Sequence, residues 1–219
     1  EAQAQNPRMA KIGFDGKENR LGWTLANLNW ILDTPEGQEQ VKQVIEDGQA
    51  IRAKYKYAIF CGMGGSGLSV QVVKTTFGQE QVKNYSLRTT DPQVIKDILN
   101  EIVAELAQEE GSLKSALEQT LVIPISKSGT TQETVSHKNY FEALFSRFSI
   151  DAKEHMWVIT DKGSPMDTGD YPQREIQLNG KGDIGGRFTS PTTRIFLLPL
   201  SIISPEKVRD ILRIARQMN

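Results

Sequence analysis

The stretch Leu121-Val-Ile-Pro-Ile-Ser-Lys-Ser-Gly-Thr-Thr-Gln-Glu-Thr134 decides how this chain is organised. Its opening residues are apolar and rich in β-branched side chains, which predicts a buried strand. The apolar run stops at Ser126, and hydroxyl residues, a lysine and a glycine follow before a helical pattern begins. This order predicts a strand, a tight turn and a helix start. Because a helix start presents unpaired N–H groups and the positive end of a dipole, the turn is suited to bind a phosphate or another dianion.

The hydroxyl residues of this stretch are Ser126, Ser128, Thr130, Thr131 and Thr134. Helix capping is the alternative role, in which Thr130 or Thr131 pairs with Glu133 or Thr134. Capping needs only one or two hydroxyls, so this number of them beside Lys127 favours an anion site over capping alone.

Strands and helices alternate from Tyr55 onward. The predicted strands are 57–61, 84–89, 121–125, 156–160 and, less regularly, 175–178, and a pair of polar helices is predicted over 93–119. The apolar segment 195–200 has no periodicity that distinguishes a strand from a helix. The alternation predicts an α/β fold, a flavodoxin-like parallel sheet flanked by helices. We expect this domain to cover residues 54–219, with residues 1–53 forming a helical N-terminal extension that packs on it.

Ligands of such sheets bind at the carboxyl ends of the strands. The hydroxyl turn, residues 126–131, falls there, as do the glycine loop, residues 62–67, and the segment 161–164. The glycine loop satisfies the dinucleotide pattern G-x-G-x-x-G, with Asp91 at the offset of a ribose-binding acid. Alternatively, Gly65 and Ser66 form a second anion-binding turn, or the glycines only allow a close strand-to-helix connection. Asp91-Pro92 also has the pattern of a helix start, and the residues alone leave these alternatives open.

Composition narrows the class of ligand. Lysine and arginine number 26 against 27 aspartates and glutamates, a net charge of −1, which argues against nucleic-acid binding through a basic face.

No run of about 18 apolar residues is present, so no membrane span is predicted. The single cysteine, Cys61, is expected to be a small buried side chain. No His, Cys or acidic cluster has the spacing of metal ligands, so we expect no metal and no cofactor.

Three segments together resemble the successive motifs of one family. They are Gly62-Met-Gly-Gly-Ser66, Ser126-Lys-Ser-Gly-Thr-Thr-Gln-Glu-Thr134 and Gly185-Gly-Arg-Phe188. Their order and spacing are similar to those of the sugar isomerase (SIS) domain of the glucose-6-phosphate isomerase family, and the resemblance extends from Tyr55 to Leu200. It implies an enzyme that interconverts glucose 6-phosphate and fructose 6-phosphate through an enediolate.

The resemblance also implies residue roles. The sugar phosphate would be held by Ser126, Ser128, Thr130 and Thr131, and the sugar would be contacted by Gly65 and Ser66. Catalytic roles fall to Lys127, close to the phosphate, and to Arg187, which would stabilise the negative charge of the enediolate.

Family members carry their glutamate base and ring-opening histidine in a second SIS domain beyond the Gly-Gly-Arg motif. We therefore expect this chain to be a fragment that contains the phosphate-binding half and lacks the catalytic base. His137 and His155 do not match the family's histidine and are expected to be structural, with Glu133 and His137 forming an ordinary helix pair. The resemblance further implies a cytoplasmic homodimer. A non-catalytic SIS module that binds a phosphosugar, and an NAD-dependent oxidoreductase built on the glycine loop, are the alternatives.

Overall fold

Short parallel strands alternate with helices along most of the chain. The computed structural model describes residues 14, 20–22, 24–78, 81–106, 112–182, 184–185 and 191–218. The strands are β1 (Tyr57–Cys61), β2 (Lys83–Leu87), β3 (Thr120–Pro124), β4 (Val158–Ile159) and β5 (Gln173–Arg174). The α-helices are α1 (Leu25–Asp33), α2 (Pro35–Lys54), α3 (Gly65–Phe77), α4 (Pro92–Leu106), α5 (Leu113–Glu118), α6 (Gln132–Arg147), α7 (Ala152–His155), α8 (Arg194–Ile203) and α9 (Val208–Gln217), and a 3-10 turn covers Pro205–Lys207.

β1 is flanked by two parallel partners. Its first residue, Tyr57, lies opposite Lys83 of β2 and Thr120 of β3, and the same register continues to Cys61. Parallel bridges, one of them between residues 125 and 159, join the β3 segment to β4, and β4 pairs in parallel with β5. The strand order is therefore β2-β1-β3-β4-β5, the flavodoxin-like order of a doubly wound sheet. The predicted fold class is confirmed.

Helices bury both faces of the sheet, as the continuous apolar runs of the central strands require. Alternate residues of β1 point to opposite sides: Phe60 joins a cluster with Ile51 of α2 and Val70 of α3, whereas Ile59 joins a cluster with Phe141 of α6. Every residue of β1 and β3 is buried. Cys61 is buried as expected, and burial raises the pKa of its thiol.

The two N-terminal helices pack on the C-terminal helices. α2 begins where Pro35 follows Thr34, whose hydroxyl accepts a hydrogen bond from the Gly37 N–H at 3.0 Å. Apolar side chains of α1, α2, α8 and α9 form a third buried cluster. Gly48 of α2 marks the close approach to α8, because a Cβ there would lie 2.3 Å from the Ser201 Oγ. Helices α1 and α2 agree with a helical N-terminal segment over the described residues 25–54, and the division into an extension of residues 1–53 and a domain of residues 54–219 stays a prediction.

Two arginines bind carbonyl groups along β5, at the outer end of the strand order. Arg174 donates to the Gln173 carbonyl at 3.0 Å and makes a two-point ion pair with Asp47 at 2.7 and 2.8 Å. Arg194, which is 4% exposed, donates to the Glu175 carbonyl at 2.9 Å. Burial lowers the pKa of Arg194 to about 10, so its guanidinium is still charged at neutral pH.

The strand predicted at 175–178 is wrong, since the fifth strand is Gln173–Arg174. Ile176 and Leu178 are buried and imitate a strand pattern, but Gln177 between them forms an isolated antiparallel bridge with Thr193. The segment 195–200 lies in α8, which is buried all round and contains Pro199, so it has no amphipathic period to reveal it. The other predicted strands and the helix pair over 93–119 are confirmed, with ends shifted by one or a few residues.

Gly48→Ala is expected to destabilise the protein by about 1–3 kcal/mol, because the added methyl group would overlap Ser201 and its backbone. Urea denaturation of the variant measures this loss. Gln49→Ala, at the exposed neighbouring position, should change the unfolding free energy by less than about 0.5 kcal/mol. Equal stabilities of the two variants would contradict the close approach of α2 and α8.

Candidate functional site

The hydroxyl turn and the glycine loop leave the same edge of the sheet. β1 and β3 are adjacent and in register, so both loops begin at the same level. Cys61, the last residue of β1, lies beside Pro124, the last residue of β3. In the sheet, β1 lies between β2 and β3. The chain adds β2 on one side of β1 and then crosses to add β3 on the other side. Such a change of direction opens a crevice at the carboxyl ends of the two strands, where doubly wound sheets bind their ligands.

Hydroxyl groups within the turn bond to one another. Ser126 Oγ lies 2.9 Å from Thr131 Oγ1 and accepts a bond from the Gly129 N–H at 3.1 Å. Ser128 Oγ lies 2.8 Å from Thr130 Oγ1. The tight turn requires glycine at position 129. Gly129 has a φ of +66°, and a Cβ at this position would lie 2.6 Å from the Ser164 Oγ.

Capping of α6 does not explain these side chains. Thr131 occupies the N-cap position, yet its side chain makes no capping hydrogen bond to the helix. The interpretation in which Thr131 serves only as an N-cap is therefore wrong. Thr134 is separate from the cluster, since it is fully buried and its hydroxyl donates to the Ile125 carbonyl at 3.4 Å. The clustered hydroxyls thus lie at a helix N-terminus whose first N–H groups are not capped by Thr131.

Steric demands account for the glycines of the other loop. Gly64 precedes α3 with a φ of +55°, which favours glycine. A Cβ on Gly62 would approach the Ser66 Cβ to 2.8 Å, and one on Gly67 would lie 2.3 Å from the Arg88 side chain. The close-connection interpretation of the pattern therefore has a full physical basis.

Asp91, the acidic residue that the dinucleotide interpretation needs for the ribose, is engaged elsewhere. Asp91 Oδ1 accepts a hydrogen bond from the Gln93 N–H at 2.9 Å, at the start of α4. Its role as a helix cap explains why an aspartate precedes Pro92. The carboxylate at the expected ribose offset is engaged by the backbone of its own helix.

A cavity of about 490 Å³ joins the two loops, a size within the usual range for small-molecule sites of about 300–1,000 Å³. Its described lining residues are Arg20, Met63, Ser66, Ile125, Ser126, Lys127, Ser128, Thr131 and Gly185. The structure thus brings together Ser66 with Ser126, Lys127, Ser128 and Thr131 of the predicted site. Gly65 and Thr130 lie in the same loops but do not line the cavity, and Arg187 lies outside the described residues.

Lys127 is held by a carboxylate from the next strand. Its ammonium group lies 2.9 Å from Asp161 Oδ2, and the Asp161 N–H donates to the Lys127 carbonyl at 3.2 Å. Both side chains are only about a fifth to a quarter exposed, at 20% and 25%. Thr160, just before Asp161, donates to the Ser126 carbonyl at 2.7 Å. The end of β4 therefore fixes both the lysine and the first serine of the hydroxyl turn.

Sequence reasoning missed Arg20 and Met63 as cavity residues. Arg20 belongs to the N-terminal segment, far from the motifs, and its neighbour Leu21 forms an antiparallel bridge with Ile184. A single arginine before an apolar helix gives no chemical pattern to detect. Met63 lies inside the glycine loop, where only the glycines and Ser66 carried a signal.

The two histidines bond to backbone carbonyls, in agreement with their expected structural roles. His137 is 1% exposed, and its Nε2 lies 2.9 Å from the Thr89 carbonyl. His155 Nδ1 lies 3.0 Å from the Thr120 carbonyl. His137 thus bonds to Thr89, and Glu133 influences it only through its charge.

Bacterial glucose-6-phosphate isomerases are similar in sequence to this chain. A glucose-6-phosphate isomerase of Chlamydia trachomatis serovar L2 is 28% identical over 204 residues, 87% of this chain and 36% of that protein. Another, from Geobacter sulfurreducens, is 30% identical over 165 residues, 74% of this chain and 29% of that protein. The sequence is related to the glucose-6-phosphate isomerases. It spans about a third of the length of these relatives. No family model matches it.

Solved structures support the shared fold. A glucose-6-phosphate isomerase from Chlamydia trachomatis superposes with a TM-score of 0.67 at 23% identity, over 87% of this chain and 36% of that chain. A hypothetical protein from Thermus thermophilus superposes with a TM-score of 0.68 at 23% identity, over 90% of this chain and 42% of that chain.

The described ranges contain neither a metal-binding cluster nor a membrane-spanning helix. No three His, Cys, Asp or Glu side chains are grouped so that they could hold a metal ion. In that same part of the chain, every helix is too short or too polar to cross a membrane.

Acid should weaken the fold through His137. Burial lowers the pKa of His137 below its ordinary value of 6.5, outweighing the Thr89 carbonyl and Glu133, which raise it. Below pH 6.5 the unfolded chain then binds a proton that the folded chain does not, so stability falls until pH reaches the lower folded-state pKa. The loss is at most about 1.4 kcal/mol per pH unit.

Urea denaturation between about pH 7.5 and about pH 5.5 measures this loss, which His137→Gln should reduce because glutamine does not titrate. Ser146→Ala, which changes an exposed residue that does not titrate and leaves His137 in place, should retain the wild-type slope. An identical slope for all three proteins would show that His137 is not responsible.

The Asp161 carboxylate offsets the charge of Lys127, so its removal should strengthen anion binding at the hydroxyl turn. Asp161→Asn keeps an oxygen for the lysine but removes the negative charge. We expect inorganic phosphate to bind about two- to fivefold more tightly at low salt, the size of a partly exposed charge interaction. Lys127→Ala should weaken phosphate binding. Calorimetric titration tests both variants, and weaker binding by Asp161→Asn would contradict the assignment.

Proposed function

We propose that this chain supplies the phosphosugar-binding part of a glucose-6-phosphate isomerase. The observation that carries the proposal is the hydroxyl turn, which lies at the N-terminus of α6 and lines a cavity of about 490 Å³. The names of the similar curated sequences support the choice of substrate. In the intact protein the reaction would be the interconversion of glucose 6-phosphate and fructose 6-phosphate.

The phosphate would bind at the hydroxyl turn. Ser126, Ser128 and Thr131 line the cavity and offer hydroxyl donors, and the α6 N-terminus adds backbone N–H groups and the positive end of its dipole. Thr130 would join them from its contact with Ser128. The Lys127 ammonium adds positive charge that its ion pair with Asp161 partly offsets.

The sugar would extend toward the glycine loop. Ser66 is 7% exposed and lines the cavity, so its hydroxyl could bond to a sugar oxygen, with Gly65 next to it. Aldose–ketose isomerisation moves a proton between adjacent carbons through an enediolate. We assign stabilisation of its negative charge to Arg187, because a fixed guanidinium stabilises charge that develops in the transition state.

A general base is also required. None of the described residues that line the cavity carries a carboxylate or an imidazole. We therefore assign the base to a part of the intact protein other than these lining residues. The intact protein is further proposed to act as a cytoplasmic homodimer, as the family resemblance implies.

Ligand binding by the 219-residue chain tests the proposal. Glucose 6-phosphate and fructose 6-phosphate, each at about 100 times its dissociation constant, should stabilise the chain by roughly 2.7 kcal/mol in thermal unfolding. The double variant Ser126→Ala, Thr131→Val should lose this stabilisation, because it removes the paired hydroxyls. Ser146→Ala, an exposed serine near the other end of α6, should retain it.

NAD and inorganic phosphate are tested as ligands in the same thermal unfolding experiment. Stabilisation by NAD alone would overturn the proposal in favour of a nucleotide site at the glycine loop. Binding of phosphosugars without isomerase activity in the full-length protein would instead identify a non-catalytic phosphosugar module.

A further inference from the structure

The cavity is partly walled by the segment that precedes α1. Leu21 pairs with Ile184 in an antiparallel bridge, and the Arg20 Nη1 donates to the Ile184 carbonyl at 3.4 Å. The Arg20–Ile184 contact joins positions 164 residues apart in the chain. They bring Arg20 to the cavity beside Gly185, which also lines it.

Arg20 differs chemically from the other described lining residues. Arg20 contributes a guanidinium group to the lining, whereas the hydroxyl turn contributes hydroxyl groups and one ammonium group. A guanidinium has five N–H donors in a planar fork, which matches two oxygens held side by side. Adjacent oxygens of this kind occur in a phosphate and also along the hydroxylated carbon chain of a sugar.

The donors already present at the hydroxyl turn favour the sugar as the partner of Arg20. The Arg20 guanidinium bonds to the Ile184 carbonyl and lines the same cavity as Ser126 of the hydroxyl turn. The hydroxyls and the α6 N-terminus already provide the donors that a phosphate requires. A ligand with its phosphate at the turn would direct its remaining oxygens toward other parts of the lining.

We propose that Arg20 is a specificity residue that binds oxygens of the sugar portion of the phosphosugar and leaves the phosphate to the hydroxyl turn. This inference rests on the function proposed above. It gives the N-terminal extension a direct role in substrate recognition, in addition to its packing on the C-terminal helices.

Comparison of two ligands tests the inference. Glucose 6-phosphate has both the phosphate and the sugar oxygens, and inorganic phosphate has only the former. Arg20→Met should weaken glucose 6-phosphate binding by about tenfold or more, the effect of losing charge-assisted hydrogen bonds. Its affinity for inorganic phosphate should remain within about twofold of the wild type, because the hydroxyl turn is intact.

Two further variants guard against a trivial result. Arg20→Lys keeps the charge but lacks the planar fork, so it should also lose affinity for glucose 6-phosphate selectively. If Arg20→Met does not fold, as judged by its ligand-free thermal unfolding, this variant decides the question. Arg147→Met removes an exposed arginine at the far end of the 16-residue helix α6, about 24 Å from the hydroxyl turn, and should bind both ligands normally.

The outcomes separate the inference from the proposed function. Unchanged glucose 6-phosphate binding in the folded Arg20 variants, or an equal loss of both ligands, would overturn the role of Arg20 in reading the sugar. If Ser126→Ala, Thr131→Val abolished binding in the same experiment, the proposed function would stand without it. A wild-type chain that binds neither phosphosugar would overturn both.

Discussion

Parallel pairing of β1 with two neighbours at once is the constraint on which the site depends. The in-register ladders place Cys61 beside both Leu87 and Pro124, so the loops after β1 and β3 start at a common level. A register shift of one residue would turn the apolar side chains of β1 from one helix layer to the other, and burial on both faces opposes it. The position of the hydroxyl turn relative to Ser66 is thus secured by the core, several residues away from either loop.

Much of the fold could be predicted because its central strands carry strong local signals. β1 and β3 are short apolar runs bounded by glycine or serine, and both strands are where that pattern indicates. The signal fails at the periphery. β5 contains only two residues, and its position depends on pairing with β4, which a local pattern does not encode. α8 is buried all round, and this removes the periodicity by which a helix is normally distinguished.

The residues of the site were likewise only partly predictable from the sequence. The hydroxyl turn was visible in the sequence because its residues are consecutive and their chemistry exceeds the needs of a cap. Residues 161–164 could be placed at the ligand-binding edge from the sequence, but the ion pair of Asp161 with Lys127 could not. Arg20 carried no local signal, because tertiary contacts such as that with the Ile184 carbonyl bring it to the cavity.

The arginines at β5 have a consequence for solubility. A strand at the margin of a sheet exposes carbonyl and N–H groups that can pair with a strand of another molecule and begin aggregation. Here the guanidinium groups of Arg174 and Arg194 already occupy the carbonyls of Gln173 and Glu175. An incoming strand would have to displace two charged side chains, one of them held by Asp47 at two points. The side chains that border the sheet therefore also protect it from indefinite extension.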